Sequence, residues 1–472
     1  MRKRYIIIVL CLLTSIFCSY GQTLRSSYFL DNSLYRYRLN PAFAPNADYF
    51  GLPIISNTGV GVYSNLGPAN VLFPKNGELY TFLNRNVTLE EFMSKLPATP
   101  AADVSFDTDL LSFGFYSSKY SYWTVNFGLS LDAGVGISRD FLEFIKSGVP
   151  DKSRKYKLDG FNANALASLS ASIGYSRELS NLVKGLRVGG AVKLYIPAAY
   201  MSLDLGDSYL ELSDEKWVVN ANANGLISSS FFRLVPPKAP GQSPDFTFNT
   251  SNISPAGYGF SIDLGIEYRL SVGSIMDGLS ISASVVDLGA QFLSAKYIQT
   301  LHSAGNVEYN GFRDIDASKL DQLNFEETLD QLSNDFLALA NFEEKVTENG
   351  IQILSTPKVY AGVEMPLLNN LMSLGVLYSG KFSYNGRITN ELQLSYSLTP
   401  CKWFNLGVSW SFLNNYKSLG WIMEFSPKRG INFYIGSDYM FFDVMPKYYL
   451  PIDKIWTDVR FGISFKLGSK YI

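Results

Sequence analysis

Apolar and polar residues alternate with a period of two along much of the chain. In YGFSIDLGIEYRL, residues 258–270, one face carries Tyr258, Phe260, Ile262, Leu264, Ile266, Tyr268 and Leu270. The other face carries Gly259, Ser261, Asp263, Gly265, Glu267 and Arg269. WTVNFGLSLD (123–132), FNLGVSWSF (404–412) and VRFGISFKL (459–467) repeat the design. Successive side chains of a strand point to opposite faces, so each stretch predicts a strand with one apolar and one polar face. Further strands are predicted near 48–63, 103–116, 163–178, 185–201, 208–227, 277–290, 351–365, 370–382, 387–398, 417–426 and 430–441. Many are about the ten residues that a tilted strand needs to cross the hydrocarbon layer of a bilayer.

The polar faces separate a membrane barrel from a secreted β-sandwich. They are filled with Gly and Ser rather than the Lys, Glu and Thr of a sheet bathed in water. Aromatic residues stand near the ends of the apolar faces, where interfacial girdles form. The expectation is an all-β membrane protein: an antiparallel outer-membrane β-barrel of about 14 strands, with 16 as the alternative. Barrels of this kind have an even strand number, short turns on one side and long loops on the other. Counting back from the C-terminus, 427–430, 399–402, 366–369 and 271–277 are the short periplasmic turns. Counting forward from residue 48, the parity conflicts within 225–255. Either DFTFNT (245–250) is a further strand, or one of the early spans does not cross.

Composition agrees. Charged residues make up 17% and aromatics 15% of the chain, and the net charge is −2. That balance offers nucleic acid no basic surface. No apolar run of about twenty residues follows the N-terminal region, so no transmembrane helix is expected. The N-terminus itself (residues 1–21) has the form of a signal peptide. Arg2, Lys3 and Arg4 precede the apolar Tyr5–Phe17, and Ser19-Tyr20-Gly21 offers a cleavage site before Gln22. Cys18 follows the large Phe17, which does not suit a lipidation site. Cleavage would leave Cys401 as the single cysteine, excluding a disulfide framework.

Candidate chemistry is sparse. The chain has one histidine, His302, in a polar stretch that reads as an exposed loop. A zinc site or a Ser-His-Asp triad would have to be built on that one ring. No phosphate-binding Gly-rich loop, HExxH or GxSxG is present. No catalytic residue, metal or cofactor is expected, and the protein reads as non-enzymatic. Charges on the polar strand faces, Asp132, Asp263, Glu267, Arg269, Arg460 and Lys466, are expected to face the lumen, chiefly as ion pairs shielded from lipid. The strand parity makes 291–350 an extracellular insert within a barrel spanning 48–472. In it Phe325, Leu329, Leu332, Phe336 and Leu339 recur at spacings of four and three, predicting an amphipathic helix. Residues 313–350 hold ten acidic and three basic groups, so this helix is acidic: a cover for the barrel rim or a docking surface for a partner. Shorter helices are predicted over 88–96, opened by the capping box Thr88-x-x-Glu91, and over 139–148, ended by Gly148.

Between the signal and the first strand, 22–47 contains YRYRLNPAFAP (35–45). Tyr35 and Tyr37 alternate with Arg36 and Arg38 ahead of the stiff turn Asn40-Pro41-Ala42. Asn suits a helix cap, and Pro at the next position has φ fixed for a first turn. Polar and aromatic side chains on so short a segment predict a plug for the barrel lumen. The motif RLNPAFAP at 38–45 resembles that of an uncharacterised outer-membrane barrel family of the Bacteroidota. The chain is also similar, more distantly, to FadL-like barrels and to PorV-type and PorP-type proteins of type 9 secretion. The FadL resemblance implies a lumen-filling hatch, to which Asn40, Pro41 and Ala42 belong, and uptake of small hydrophobic or amphipathic molecules across outer-membrane lipid. The PorV resemblance implies instead a barrel that holds a secretion or surface-assembly partner.

Overall fold

A computed structural model of the chain describes residues 23–468, apart from 149, 151, 214–216, 236–244, 250, 252, 271–277, 310–342, 346–348, 383–387, 414–415, 428–429, 441–443, 446–449 and 452–453. The proposed signal peptide and the acidic helix of Phe325, Leu329, Leu332, Phe336 and Leu339 lie outside the described residues.

The barrel begins with β1, in two pieces (Asp48–Gly51 and Thr58–Ser64), then β2 (Ala101–Ser118), β3 (Ser121–Gly136), β4 (Asn162–Glu178) and β5 (Leu186–Asp204). It continues through β6 (Gly257–Arg269), β7 (Ser280–Leu293) and β8, again in two pieces (Ile351–Leu354 and Lys358–Leu367). The remaining strands are β9 (Met372–Phe382), β10 (Ile388–Cys401), β11 (Phe404–Leu413), β12 (Tyr416–Phe425), β13 (Ile431–Met440) and β14 (Ile455–Leu467). Each pairs antiparallel with the next, and β14 pairs back onto β1, for example Val60 opposite Val459. The sheet is therefore closed with fourteen strands. Closure leaves no open edge at membrane depth, which lets a sheet sit in lipid without unsatisfied backbone groups.

The parity conflict in 225–255 resolves by the second route. Within the predicted strand 208–227, Tyr209–Leu212 and Trp217–Ser229 pair with Arg154–Lys157, Ile298–Tyr309 and only the last third of β5, whose first half pairs with β6. They extend the wall beyond the barrel's loop-bearing rim. Asp245–Phe248 pairs with Phe232–Val235 as a separate hairpin and adds no strand to the barrel. His302 lies on Ile298–Tyr309 rather than in a loop, its Nδ1 2.9 Å from Asn224 Oδ1. The two shorter helices form at Leu89–Lys95 and Arg139–Ser147. Thr88 and Ser138 cap them by accepting from the backbone N–H of Glu91 and Phe141, and Gly148 closes the second with φ 72°.

The two faces of the wall differ as the alternation demands. On β6 the outward residues Tyr258, Phe260, Ile262, Leu264, Ile266 and Tyr268 are all exposed, while Ser261, Asp263 and Glu267 between them are buried. Val192 and Leu194 on β5 and Leu374 and Val376 on β9 continue the exposed apolar band. An apolar belt of this extent around a closed sheet, with Tyr at both ends of β6, is the signature of a barrel in lipid. No helix among the described residues is long and apolar enough to cross a membrane.

Candidate functional site

The lumen is occupied by the chain's own N-terminal segment. From Leu24 to Ala44 nearly every side chain is buried, against inward-facing residues contributed by strands from around the barrel. Arg25 forms ion pairs with Glu391 of β10 and Asp438 of β13, all three groups 7% exposed or less. Asp438 also accepts from the backbone N–H of Arg25 (2.6 Å) and Ser26 (2.9 Å), the free donors at the start of a single 3₁₀ turn. Tyr28 reaches Ser282 of β7 (3.0 Å), Tyr35 reaches Ser464 of β14 (2.6 Å), and Tyr37 donates to Asn126 of β3 (2.6 Å). Arg38 donates to both carboxylate oxygens of Asp109 on β2, at 2.8 and 2.7 Å. Burial pushes the Tyr28 hydroxyl up to about 12, so it stays a neutral donor at any physiological pH.

The Asn40-Pro41-Ala42 stretch forms one turn and does not grow into a helix. Asn40 Oδ1 accepts from the N–H of Ala42 (3.0 Å), and the Asn40 carbonyl accepts from Phe43 (2.9 Å). The Asn40 side-chain amide donates to the carbonyl of Ile266 on β6 (3.1 Å), so the residue that caps the turn also ties it to the wall. Two wall glycines admit this turn. A β-carbon at Gly265 would lie 2.8 Å from Pro41 Cδ, and one at Gly189 would strike the Pro41 carbonyl.

Of the charges singled out in the sequence, Asp263 is paired with Lys193 of β5 (2.8 Å). Glu267 is paired with Arg269 (2.7 Å). Arg269 also grips Asp31 of the N-terminal segment, which in turn pairs with Arg36 at 2.6 Å. Burial alone would raise the Asp31 carboxyl, but the two guanidinium groups hold it well below the usual carboxylate range. Arg460 pairs with Asp107 and donates to Asn57 (2.9 Å), and Lys466 donates to Ser426 (2.8 Å). Asp132 stands apart, its Oδ1 buried with no hydrogen-bond partner among the described residues. Sequence reading missed Arg25, Asp109, Lys193, Asp287 and Lys358, although all lie in or beside spans it identified. Asp287 also takes φ 61°, at a bulge where β7 gains one residue on β6, and its carboxylate joins Lys193 (2.6 Å) and Lys358 (3.1 Å).

Between the segment and the wall formed by β2–β8 lies a cavity of about 210 Å³. Leu129, Leu166, Val286, Phe43 and Tyr360 give it an apolar side, and Asp107, Asp109, Asp132, Lys193, Asp287 and Lys358 a charged one. The strand ladder is irregular beside it, though backbone hydrogen bonds from Ser355 to Gly289 and from Phe382 to Pro357 still bridge it. The two pieces of β8 are interrupted at 355–357, opposite the Asp287 bulge, and Pro357 brings no N–H to the ladder.

This fold and lumen define a fourteen-stranded outer-membrane barrel threaded by its own N-terminal segment. The chain belongs to DUF5723, a family of unknown function, whose model matches residues 41–438. A comparison with curated proteins found no match. Among solved structures, the chain is similar to the Ralstonia pickettii toluene transporter TbuX, at 10% identity and a TM-score of 0.41, over 92% of this chain and 93% of that one. The Pseudomonas putida toluene transporter TodX aligns at 11% identity and a TM-score of 0.41, over 97% of this chain and 100% of that one. A Pseudomonas aeruginosa FadL homologue aligns at 9% identity and a TM-score of 0.32, over 90% of each chain.

Proposed function

We propose that the protein is a non-enzymatic outer-membrane channel for small amphipathic molecules. In this reading residues 22–47 are a hatch, and the Asn40-Pro41-Ala42 turn is its contact with the wall beneath the cavity. The observation that carries the proposal is how the segment is held. It is held by side-chain ion pairs and hydrogen bonds and by two apolar clusters shared with the wall, and it contributes no strand to the sheet, so it can shift without breaking the barrel's ladder. The cavity lies directly against the segment, bordered by Tyr37, Arg38, Leu39, Pro41 and Phe43, so a shift of the hatch changes its size.

Swelling of proteoliposomes in arabinose tests this. Removing 22–47 is expected to accelerate swelling several-fold over the full chain. Gly265→Ala, which leaves the segment present but forces its turn off the wall, is expected to give a smaller increase. Equal rates for all three proteins, each shown to be folded by heat-modifiable gel mobility, would refute a hatch.

A further inference from the structure

We infer that the lumen cavity is a binding site for a small amphipathic ammonium compound, an apolar ring carrying a primary amine, with Asp132 as the group that receives the amine. The inference rests on the channel reading of the same cavity and specifies its solute.

The first argument is a count of charges. Five carboxylates border the cavity: Asp107, Asp109, Asp132, Asp263 and Asp287. Four of them are engaged by bases at hydrogen-bonding distance: Asp107 by Arg460, Asp109 by Arg38, Asp263 by Lys193, and Asp287 by both Lys193 and Lys358. Asp132 is the fifth. Lys358 and Lys381 act on it through space, and its Oδ1 has no donor among the described residues. A buried acceptor left without a donor is costly, and native interiors keep few of them without a reason. A ligand bearing a cationic donor supplies what the wall withholds.

The second argument is shape and lining. Asp132 faces Leu166 directly across the β3–β4 ladder. Leu166, Phe43, Val286 and Tyr360 thus offer apolar surface within the same cavity as the carboxylate. A cavity of about 150 Å³ accommodates a benzene molecule. At about 210 Å³ this one has room for a ring with a short amine tail. A wholly apolar solute would leave Asp132 unsatisfied, and an anion would be repelled by it.

Three near-isosteres separate these cases: 2-phenylethylamine, 2-phenylethanol and phenylacetate, titrated by calorimetry into the detergent-solubilised full chain at neutral pH. Charge-assisted hydrogen bonds are about twice as strong as neutral ones, so the amine is expected to bind about tenfold or more tighter than the alcohol, and the anion most weakly. Asp132→Asn is expected to erase the preference for the amine, and Asp132→Glu to keep it. Equal binding of alcohol and amine by the unaltered protein overturns the proposal, as does an Asp132→Asn protein that still prefers the amine. Absence of binding by all three at millimolar concentration also overturns it. If Asp132→Asn fails to fold, the comparison of amine with alcohol on the unaltered protein decides alone. Failure here with accelerated swelling of the hatch deletion would leave the channel and remove this site. Amine binding without accelerated swelling would do the reverse.

Discussion

Arg25 is the residue on which the lumen contacts converge. Its guanidinium neutralises two carboxylates on strands from different parts of the wall, and none of the three groups can recruit water as a substitute. Replacing it with leucine would strand both acids. Breaking a buried pair in this way costs about 3–5 kcal/mol, so Arg25→Leu is expected to lower the urea midpoint of the folded barrel markedly. Asp31 behaves differently. Its folded carboxyl is depressed by Arg36 and Arg269, so what it contributes is fully present above the ordinary carboxylate value of about 4 and is lost only as pH falls below it. The melting temperatures of the native protein and of Asp31→Asn should therefore differ by a constant amount from pH 7 to about 4 and converge below. Convergence already at pH 6 would contradict this assignment. Such pairings were only half legible in the sequence. Parity placed Asp263, Glu267 and Arg269 on the inward face, yet Arg269 finds Asp31 more than two hundred residues away, and Asp263 finds Lys193 across a ladder whose register the sequence does not state.

At the scale of the strand, alternation is a faithful guide where lipid is the solvent outside. Leu264 lies midway between Tyr258 and Tyr268 on the exposed face of β6. Leu264→Arg is expected to destabilise the barrel by about 2–4 kcal/mol in bilayers, the cost of a base at the hydrocarbon midplane. Guanidinium unfolding in liposomes would measure it, and an effect below half a kcal/mol would place the belt elsewhere. Alternation fails at two kinds of place. It does not report where the bilayer ends: Trp217–Ser229 alternates as a spanning strand does, because the sheet that it joins continues past the rim with one face still covered. Nor does it survive bulges. Asp109 and Ser112 both face inward although their spacing is odd, since the register of β2 slips between Asp109 and Leu111. The short helices were easier, because a cap is a local hydrogen bond that needs no partner from elsewhere in the chain.

For the molecule as a whole, the barrel's contacts are overwhelmingly non-local. The closing seam joins β1 to β14, and the residues in the lumen draw partners from the second strand to the last. Arg25 lies 413 positions before Asp438 in the chain. Contacts of such separation form late, because the loop between them must be closed first. The N-terminal segment is thus made first and satisfied last, and its two firmest anchors, Glu391 and Asp438, belong to strands near the end of synthesis. A chain cut short before β13 would carry Arg25 with no Asp438 to receive it. The segment that fills the lumen consequently serves also as proof of completeness: it comes to rest only inside a barrel whose final strands have arrived.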